Sequence, residues 1–467
     1  MIFKKIKPGQ QVATLLALWL GFGSFAAQAS LSADQQQLIK KGEYIATAGD
    51  CVACHSVAGG QPFAGGLGLA TPLGTIYSSN ITPSRSHGIG NYSFEQFARA
   101  VRGGVRADGA YLYPAMPYTS YAKISDEDMQ ALYAYFMQGV APVDSAAAKT
   151  ALPFPFNVRL SMAGWDLLFL DNQRFVADAD KSQQINRGAY LAEALEHCST
   201  CHTPRNALMA EQGSQALAGS SLGTWYAPNI TSDAVAGIGS WSDSEIVDYL
   251  KSGHAAGKAQ AAGPMAEAID HSLNHLSDSD LQAIAAWLKQ TAPQSSPGQA
   301  QSADRWGQPA AYLAQLRGVA RPAQADSMTG WQVYDGYCAS CHQPSGQGSP
   351  DGGLPSLLHN TALGHENADN LIMAILNGVQ RGPEVKDVAM PAFGHLLSDH
   401  QVTVLSNQLL QQFGNPQVQV SEQRVKELRA GGKTSPLLTI AQYATAIGAA
   451  VVIVLIAFFF SRRKRQQ

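Results

Sequence analysis

Six cysteines and three histidines of this 467-residue chain share one spacing that is suited to holding an iron-containing group. The pattern Cys-x-x-Cys-His occurs at 51–55, at 198–202 and at 338–342, and it uses every cysteine of the chain. Two thiols one helical turn apart can both bond the vinyl groups of a haem, and the adjacent imidazole can then bind its iron. The motifs therefore predict three covalent c-type haems, with these attachment cysteines and proximal histidines: Cys51, Cys54 and His55; Cys198, Cys201 and His202; Cys338, Cys341 and His342.

Two other chemistries also use closely spaced cysteines. A zinc site needs four ligands at matching spacing, whereas here each cysteine pair lies more than a hundred residues from the next. A redox-active disulfide needs only the two thiols, which leaves the histidine after each pair without a function. Covalent haem accounts for all three residues of the motif, and zinc binding and redox disulfides are the alternatives.

The iron of each haem needs a second axial ligand, and this ligand decides what the haem can do. A methionine thioether raises the reduction potential relative to a second histidine and closes the position at which oxygen would bind. Met116, Met265 and Met390 follow the histidines of the three motifs by 61, 63 and 48 residues, and we expect them to be the distal ligands. The alternatives are Met209 and His254 for the second haem, and His359, His365 and His395 for the third.

The region between the chain ends is repetitive. Asn-Ile-Thr and Gly-Ile-Gly recur with an offset of 149 residues, at 80–82 and 88–90 and again at 229–231 and 237–239. Ser125 and Ser277 then precede acidic residues and an apolar helical pattern, which is typical of a helix N-terminus. The pattern predicts an all-α fold of three tandem class I cytochrome c-like domains. In each, a first helix with Gly and Tyr crosses the last helix, and the haem lies between them.

Changes in composition predict the limits of the domains. The first linker contains an apolar segment at 165–170, which we expect to pack between domains, with contact to a partner or a quinone as the alternative. The predicted division is a signal peptide at 1–29, a first domain at 35–140, a linker at 141–182, a second domain at 183–290, a linker at 291–325, a third domain at 326–415, a hinge at 416–436, a transmembrane helix at 437–460 and a cytoplasmic tail at 461–467.

Both chain ends indicate export and a membrane anchor. Three lysines, an apolar run and Ala27-Gln28-Ala29 are typical of a cleaved signal peptide, with an uncleaved anchor as the alternative. Leu437–Phe460 contains 24 residues without a charge, enough to span about 30 Å of hydrocarbon. Four basic residues at 462–465 follow, so the tail is expected in the cytoplasm of a bacterial cell and the haem domains on the periplasmic side of its inner membrane.

The charge of the exported part argues against nucleic-acid binding. Without the basic residues of the two ends, 35 acidic residues remain against 25 basic ones. A net negative surface repels a phosphate backbone and says little about protein partners.

Several longer motifs make the chain similar to a known family. They are found at 79–83, 88–93, 112–118, 125–135, 153–155, 165–169, 187–191 and 198–206. With these residues the chain resembles the three-haem cytochrome c subunits of bacterial membrane-bound dehydrogenases, which oxidise alcohols, aldehydes, gluconate or other sugar acids at the periplasmic face. The resemblance covers nearly the whole mature chain.

The resemblance implies a catalytic partner and an electron acceptor. A separate subunit that carries a flavin, a quinone cofactor or a molybdenum centre would oxidise the substrate, and this chain would pass the electrons to ubiquinone in the lipid bilayer. The chain itself contains no strand-linked GxGxxG motif and no evident nucleophile–base motif, so we expect no substrate-oxidising site in it. A membrane-tethered relay to a terminal oxidase or another reductase is the alternative function.

Overall fold

The computed structural model describes residues 31–350, 353–381, 389–432 and 437–464. The predicted signal peptide (1–29) and the last three residues of the predicted tail (465–467) lie outside the described residues. Helices are grouped around each of the three Cys-x-x-Cys-His motifs, and we call these groups modules one, two and three. In each module the motif follows the first helix.

The first module begins with the helix that precedes the first motif. Its elements are α1 (Ala33–Ala48), α2 (Cys51–His55), β1 (Gly68–Thr71), β2 (Gly74–Tyr77), α3 (Phe94–Gly103), α4 (Tyr118–Tyr121) and α5 (Asp126–Ala134), the last of which continues as a π-helical turn over Tyr135–Gly139. The linker that follows contains α6 (Ser161–Phe169).

The second module repeats this order of helices with an additional hairpin and two 3₁₀ turns. Its elements are α7 (Gln183–Tyr190), a π-helical turn (Leu191–Leu195), α8 (Ser199–His202), a 3₁₀ turn (Gly213–Gln215), β3 (Ser220–Leu222), β4 (Trp225–Ala227), α9 (Asp243–Ser252), β5 (His254–Ala255), β6 (Ala259–Gln260), α10 (Gly263–His271), a 3₁₀ turn (Leu273–His275) and α11 (Asp278–Leu288).

The second linker and the third module complete the chain. Their elements are a 3₁₀ turn (Ala303–Arg305), α12 (Leu313–Leu316), a 3₁₀ turn (Ala325–Ser327), α13 (Gly330–Tyr337), α14 (Ala339–His342), α15 (Thr361–Gly364), α16 (Asp369–Asn377), β7 (Val379–Gln380), β8 (Ala389–Met390), α17 (Asp399–Phe413), α18 (Glu422–Arg429) and α19 (Leu437–Lys464).

The chain is mostly helical, as predicted, but the described residues also contain short antiparallel strand pairs. These pairs are β1–β2, β3–β4, β5–β6 and β7–β8. Each strand has only two to four residues. A segment this short does not give a recognisable alternation of polar and apolar residues, so the sequence pattern could not reveal it.

The last helix of each module begins at a serine cap, as predicted for Ser125 and Ser277. The side chains of Ser125, Ser277 and Ser398 each accept a hydrogen bond from the backbone N–H three residues later. This bond satisfies one of the amides that have no partner within the helix. Acidic residues in the first turn of these helices add a favourable interaction with the helix dipole.

In each module the first and the last helix cross at a glycine. A Cβ atom added at Gly42 would lie 1.9 Å from the carbonyl oxygen of Ala131, and one at Gly188 would lie 2.0 Å from that of Ala283. At Gly330, in the third module, it would lie 2.5 Å from the Cβ atom of Gln408. The crossing therefore requires a residue without a side chain, which explains the glycine in the first helix of every module.

The first two modules pack on each other through a tyrosine of α1. The hydroxyl of Tyr44 donates a hydrogen bond to the Asp280 carboxylate (2.6 Å) and accepts one from the backbone N–H of Ser277 (3.2 Å). A helix of module one is thereby fixed to the N-terminus of α11 in module two.

The same contact occurs a second time with the modules exchanged. The hydroxyl of Tyr190, on α7, donates to the Asp128 carboxylate (2.6 Å) and accepts from the backbone N–H of Ser125 (3.2 Å). Equivalent residues of the two repeats thus contact each other reciprocally, as in a two-fold symmetric dimer interface. The two modules also share one hydrophobic core.

The third module is attached to the second by different contacts. The side chain of Arg381 is fully buried and forms an ion pair with Asp270 at 2.6 Å. The amide side chain of Asn370 forms two hydrogen bonds with the backbone of Tyr226, at 2.9 and 2.8 Å. As far as the residues are described, the contacts between modules two and three therefore do not repeat the symmetry of the first interface.

The first linker and the segment predicted as a hinge each contain a helix that packs on a module. In α6, the Trp165 indole donates a hydrogen bond to the Leu208 carbonyl oxygen (2.9 Å), so this face packs between modules. Leu167 and Leu168, on the other face of α6, are 86% and 68% exposed. In the segment predicted as a hinge, α18 packs on module three and buries Val425.

The C-terminal helix α19 has the length and composition of a membrane span. Its segment Leu438–Phe458 contains 21 residues with a mean hydropathy of 2.2, and none of its most apolar stretch is buried within the protein. At about 1.5 Å per residue this segment is about 30 Å long, which is the thickness of a hydrocarbon core.

Replacing Gly42 by alanine tests the helix crossing. We expect Gly42→Ala to lower the free energy of unfolding by about 1–3 kcal/mol, because the new methyl group would overlap the Ala131 carbonyl. Gly164→Ala in α6 is the matched control, since a Cβ atom there meets nothing within 4 Å, and we expect it to gain about 0.5–1 kcal/mol from helix propensity. Thermal unfolding followed by circular dichroism measures both, and equal stability of the two variants would contradict the close crossing.

Asp280 is expected to make the module interface sensitive to acid. Burial opposes its ionisation, but hydrogen bonds from Arg187 and Tyr44 outweigh this effect and leave the pKa of Asp280 below its ordinary value. The native state therefore binds fewer protons than the unfolded state below about pH 4, and stability is lost as the pH falls through this range.

Asp280→Asn should cost about 1–3 kcal/mol at neutral pH, because it leaves the Arg187 guanidinium without its counter-charge, and it should flatten the loss of stability in acid. Asp278→Asn, at a 78% exposed side chain in the same helix turn, is the control and should change little. Urea unfolding at pH 7 and pH 3.5 distinguishes these outcomes. Similar curves for both variants would rule out a structural role of Asp280.

Candidate haem sites

Each motif histidine is oriented by a hydrogen bond from its ring to the backbone. Nδ1 lies 2.7 Å from the Ser79 carbonyl oxygen in His55, 2.6 Å from that of Pro228 in His202, and 2.9 Å from that of Pro355 in His342. A carbonyl oxygen only accepts, so Nδ1 carries the proton and the lone pair is on Nε2. This is the tautomer, and the kind of supporting hydrogen bond, that a histidine bound to a metal through Nε2 requires.

The three histidines are held in the neutral form. Burial lowers the pKa of His55, His202 and His342, and the hydrogen bond to the carbonyl opposes this effect only in part. A neutral imidazole is the form that binds iron.

The motif cysteines lie on short helices and are not in the environment of a reactive thiolate. None of the six cysteines forms a disulfide. Burial raises the pKa of Cys51 and Cys338 to about 12 and that of Cys54 to about 11, whereas redox-active thiols have lowered values. In the described part of the chain, no cluster of three or more His, Cys, Asp or Glu side chains could hold a metal ion.

One continuous cavity of about 1570 Å³ passes through all three modules. Isoleucines of the two repeats, among them Ile81 and Ile230, form part of its largely apolar wall. Its lining includes all of the predicted attachment and ligand residues: Cys51, Cys54, His55, Met116, Cys198, Cys201, His202, Met265, Cys338, Cys341, His342 and Met390. Thiols, neutral imidazoles, thioethers and apolar walls are the donor set and surroundings that fit a covalently bound haem.

The three methionines reach this cavity from different backbone structures. Met116 lies in a loop in front of α4, Met265 in the first turn of α10, and Met390 in strand β8, where it pairs with Val379.

The repeat itself supports Met265 as the counterpart of Met116. The two residues are 149 residues apart, which is the offset that relates the Asn-Ile-Thr and Gly-Ile-Gly motifs. Met265 lines the cavity, whereas neither of its alternatives, Met209 and His254, belongs to the described lining. The ring of His254 instead lies 3.0 Å from the side-chain oxygen of Gln260.

For the third site, one alternative histidine does line the cavity. His359 and His395 are not part of the described lining, but His365 is. The Nδ1 atom of His365 accepts a hydrogen bond from the backbone N–H of Asn367 (3.1 Å), so its proton is on Nε2. A nitrogen that carries a proton has no lone pair for iron, which favours Met390 as the ligand.

The repeated Asn-Ile-Thr motif holds the carbonyl that orients the histidine. The side-chain oxygen of Asn80 accepts hydrogen bonds from the backbone N–H and the hydroxyl of Thr82 (2.9 and 2.7 Å). Asn229 and Thr231 make the same two bonds in the second module, at 2.8 and 2.7 Å. The loop is thus fixed directly after Ser79 and Pro228, whose carbonyls bind the histidines.

The Gly-Ile-Gly motif packs against the same loop. A Cβ atom at Gly88 would lie 2.1 Å from the Thr82 carbonyl oxygen, and one at Gly237 would lie 2.3 Å from that of Thr231. Sequence reasoning did not identify Ser79, Pro228 and Pro355 as histidine partners, because a backbone acceptor has no residue-type signature. For Ser79 and Pro228, the recurrence of the adjacent Asn-Ile-Thr motif at the repeat offset was the available signal.

Comparison with known proteins places these modules in an established class. The family model described as cytochrome c matches residues 39–139 and 185–292. The model described as cytochrome c oxidase, cbb3-type, subunit III matches residues 325–407. The protein is a cytochrome c with covalently bound haem.

Full-length relatives define the particular family. The chain is 46% identical to the fructose dehydrogenase cytochrome subunit of Gluconobacter japonicus, over 86% of this chain and 85% of that protein. It is 43% identical to the gluconate 2-dehydrogenase cytochrome c subunit of Pantoea cypripedii (86% and 91%) and 37% identical to the cytochrome c subunit of the alcohol dehydrogenase (quinone) of Gluconobacter oxydans (92% and 90%). The chain belongs to the family of cytochrome c subunits of membrane-bound dehydrogenases.

Replacing Met116 tests its assignment as an iron ligand. We expect Met116→Ala to lower the reduction potential of one haem by at least about 59 mV, a tenfold change in a one-electron equilibrium, and to let the reduced protein bind carbon monoxide. Met209→Ala, at an exposed methionine outside the cavity lining, is the control and should change neither property. A spectroelectrochemical titration that is identical for Met116→Ala and the unmodified protein would refute the assignment.

Proposed function

We propose that the chain binds three c-type haems and passes electrons from a periplasmic dehydrogenase subunit to ubiquinone in the bacterial cytoplasmic membrane. A bound haem supplies reversible one-electron oxidation and reduction. In this proposal the axial ligands are His55, His202 and His342 on one side and Met116, Met265 and Met390 on the other. The observation that carries the proposal is the single cavity that contains all three motifs.

Contacts between the first two motifs support transfer from one site to the next. The hydroxyl of Tyr121 donates a hydrogen bond to the Gly49 carbonyl oxygen (2.6 Å), two residues before Cys51. The ring of the same tyrosine packs edge-on against His197, which precedes Cys198, with a centroid distance of 5.6 Å. One side chain therefore contacts the chain in front of both motifs, so the two proposed haems would be neighbours.

The connection from the second site to the third runs along the interface of their modules. Tyr226 and Asn370, which are hydrogen-bonded to each other, both line the cavity. The ring of His365, on the module-three side, packs against Tyr226 at a centroid distance of 5.1 Å. The cavity thus continues across the interface between the second and the third site.

The relatives indicate the kind of partner. They are cytochrome subunits of fructose, gluconate and alcohol dehydrogenases, which implies a catalytic dehydrogenase partner for this chain. We propose that this partner carries a flavin, a quinone cofactor or a molybdenum centre. The substrate oxidation belongs to that subunit, and the residues of this chain hold and insulate the haems.

The C-terminal helix supports delivery of electrons to a lipid-soluble acceptor. Leu438–Phe458 is long and apolar enough to cross a bilayer, and basic residues at 462–465 follow it. By the positive-inside rule, this end is proposed to be cytoplasmic and the haem modules periplasmic. Only a few residues separate α18 from α19, so the third module would remain close to the membrane surface and to ubiquinone.

Transfer to a terminal oxidase is the second candidate function. It is favoured by the match of residues 325–407 to a family model from a cytochrome c oxidase subunit. This match concerns only the third module, whereas the similarity to dehydrogenase subunits extends over most of the chain. The dehydrogenase function is therefore the stronger proposal.

Purification of the detergent-extracted complex distinguishes the two functions. We expect a large cofactor-bearing subunit to copurify, and a sugar, sugar acid, alcohol or aldehyde to reduce both the haems and added short-chain ubiquinone. Replacement of both Cys198 and Cys201 by alanine should preserve copurification but lower quinone reduction at least tenfold, because the middle site is lost. A chain that purifies alone, with haems reduced by no substrate, would instead support the oxidase relay.

A further inference from the structure

Charged side chains are distributed unevenly around the haem cavity. The acidic residues of its lining, Asp50, Glu196 and Glu267, lie where modules one and two meet. Its basic residues, Arg106, Lys149 and Arg159, all lie at the part of the cavity that belongs to module one. The described lining residues of module three include no Asp, Glu, Lys or Arg.

Arg159, like Lys149, comes from the linker and not from a repeat. Its guanidinium carbon lies 4.4 Å from the centre of the Tyr113 ring, and Nη1 donates a hydrogen bond to the Tyr111 carbonyl oxygen (2.8 Å). Both contacts are to the segment that leads to Met116. They fix the guanidinium at the wall of the first site and leave several of its N–H groups for another partner.

Arg159 has no carboxylate partner within the described residues. None of the ion pairs found there includes it, although the side chain is only half exposed. The second cation, Arg106, is about half exposed and pairs with Asp108 at 2.8 Å, and Lys149 is exposed. Arg159 is therefore the cation of this group that is both partly buried and without a carboxylate partner among the described residues.

A haem brings two carboxylates, its propionates, into the cavity that holds it. A carboxylate in a largely apolar cavity is costly unless it is paired and hydrogen-bonded. A guanidinium, with N–H groups in a planar fork, is the side chain best suited to bind it. We propose that Arg159 binds a propionate of the haem attached at Cys51 and Cys54, and that it raises the reduction potential of this haem.

The effect on the potential follows from charge. Oxidation adds one positive charge to the haem, and a nearby cation opposes this addition more strongly where the dielectric constant is low. This inference depends on the proposed function only in that a haem is bound at the first motif.

The test is a spectroelectrochemical titration of the purified full chain in detergent. We expect Arg159→Gln to lower the midpoint potential of one wave, the titration step of a single haem, by about 59 mV. This shift is a tenfold change in the equilibrium constant of a one-electron reduction. It should be the same wave that Met116→Ala displaces. Arg159→Lys, which keeps the charge but loses the planar fork, should cause a smaller shift of this wave.

Arg174→Gln is the matched control, because Arg174 belongs to the same linker but does not line the cavity. It should leave every wave in place. The proposal is overturned if Arg159→Gln moves no wave, if it moves a wave other than that of Met116, or if Arg174→Gln has the same effect. If Arg159→Gln loses haem, the Arg159→Lys variant decides, and an unshifted wave in it refutes the proposal.

These measurements are independent of the physiological partner. Potentials are measured on the cytochrome chain itself, so a failure to find a dehydrogenase or quinone reduction would affect the proposed function and not this result. Counting haems per chain shows separately whether the first motif carries one.

Discussion

The close crossing of the first and last helix is the constraint on which each module depends. At Gly42, Gly188 and Gly330 the two helices approach so closely that a methyl group would overlap the backbone or side chain of the last helix. The haem-attachment motif starts only a few residues after the first helix, so the crossing also determines where the motif lies. A larger residue at the crossing would displace the cysteines and the histidine together, although it is remote from them.

The symmetric contact between the first two modules depends on the same helices. Tyr44 and Tyr190 lie on the crossing helices α1 and α7, and each binds the N-terminus of the last helix in the other module. A buried polar interface of this kind requires that donors and acceptors match on both sides, which a duplicated module provides automatically. The described residues of the third module make no such symmetric contact, and the buried Arg381–Asp270 ion pair attaches this module instead. The interface between modules one and two uses equivalent residues of the two repeats, whereas the interface between modules two and three uses unrelated residues.

The sequence predicted the features that are encoded by residue type. The motif cysteines and histidines, the caps at Ser125 and Ser277 and the helix crossing all have signatures in the amino-acid pattern. The partners of the histidines could not be predicted, since the carbonyls of Ser79, Pro228 and Pro355 belong to the backbone. The continuity of the cavity also escaped prediction, because it depends on how the modules dock and not on any single module.

The linkers give the repeated modules different surroundings. Three copies of one motif, each with a histidine and a methionine available as ligands, would have similar affinities for an electron if their surroundings were the same. Differences must come from residues outside the repeat or from substitutions within it. Arg159 belongs to the first linker, and Asp304 of the second linker, which is buried, forms an ion pair with Lys258 of module two. The segments that are least like a cytochrome domain are therefore well placed to make the sites unequal.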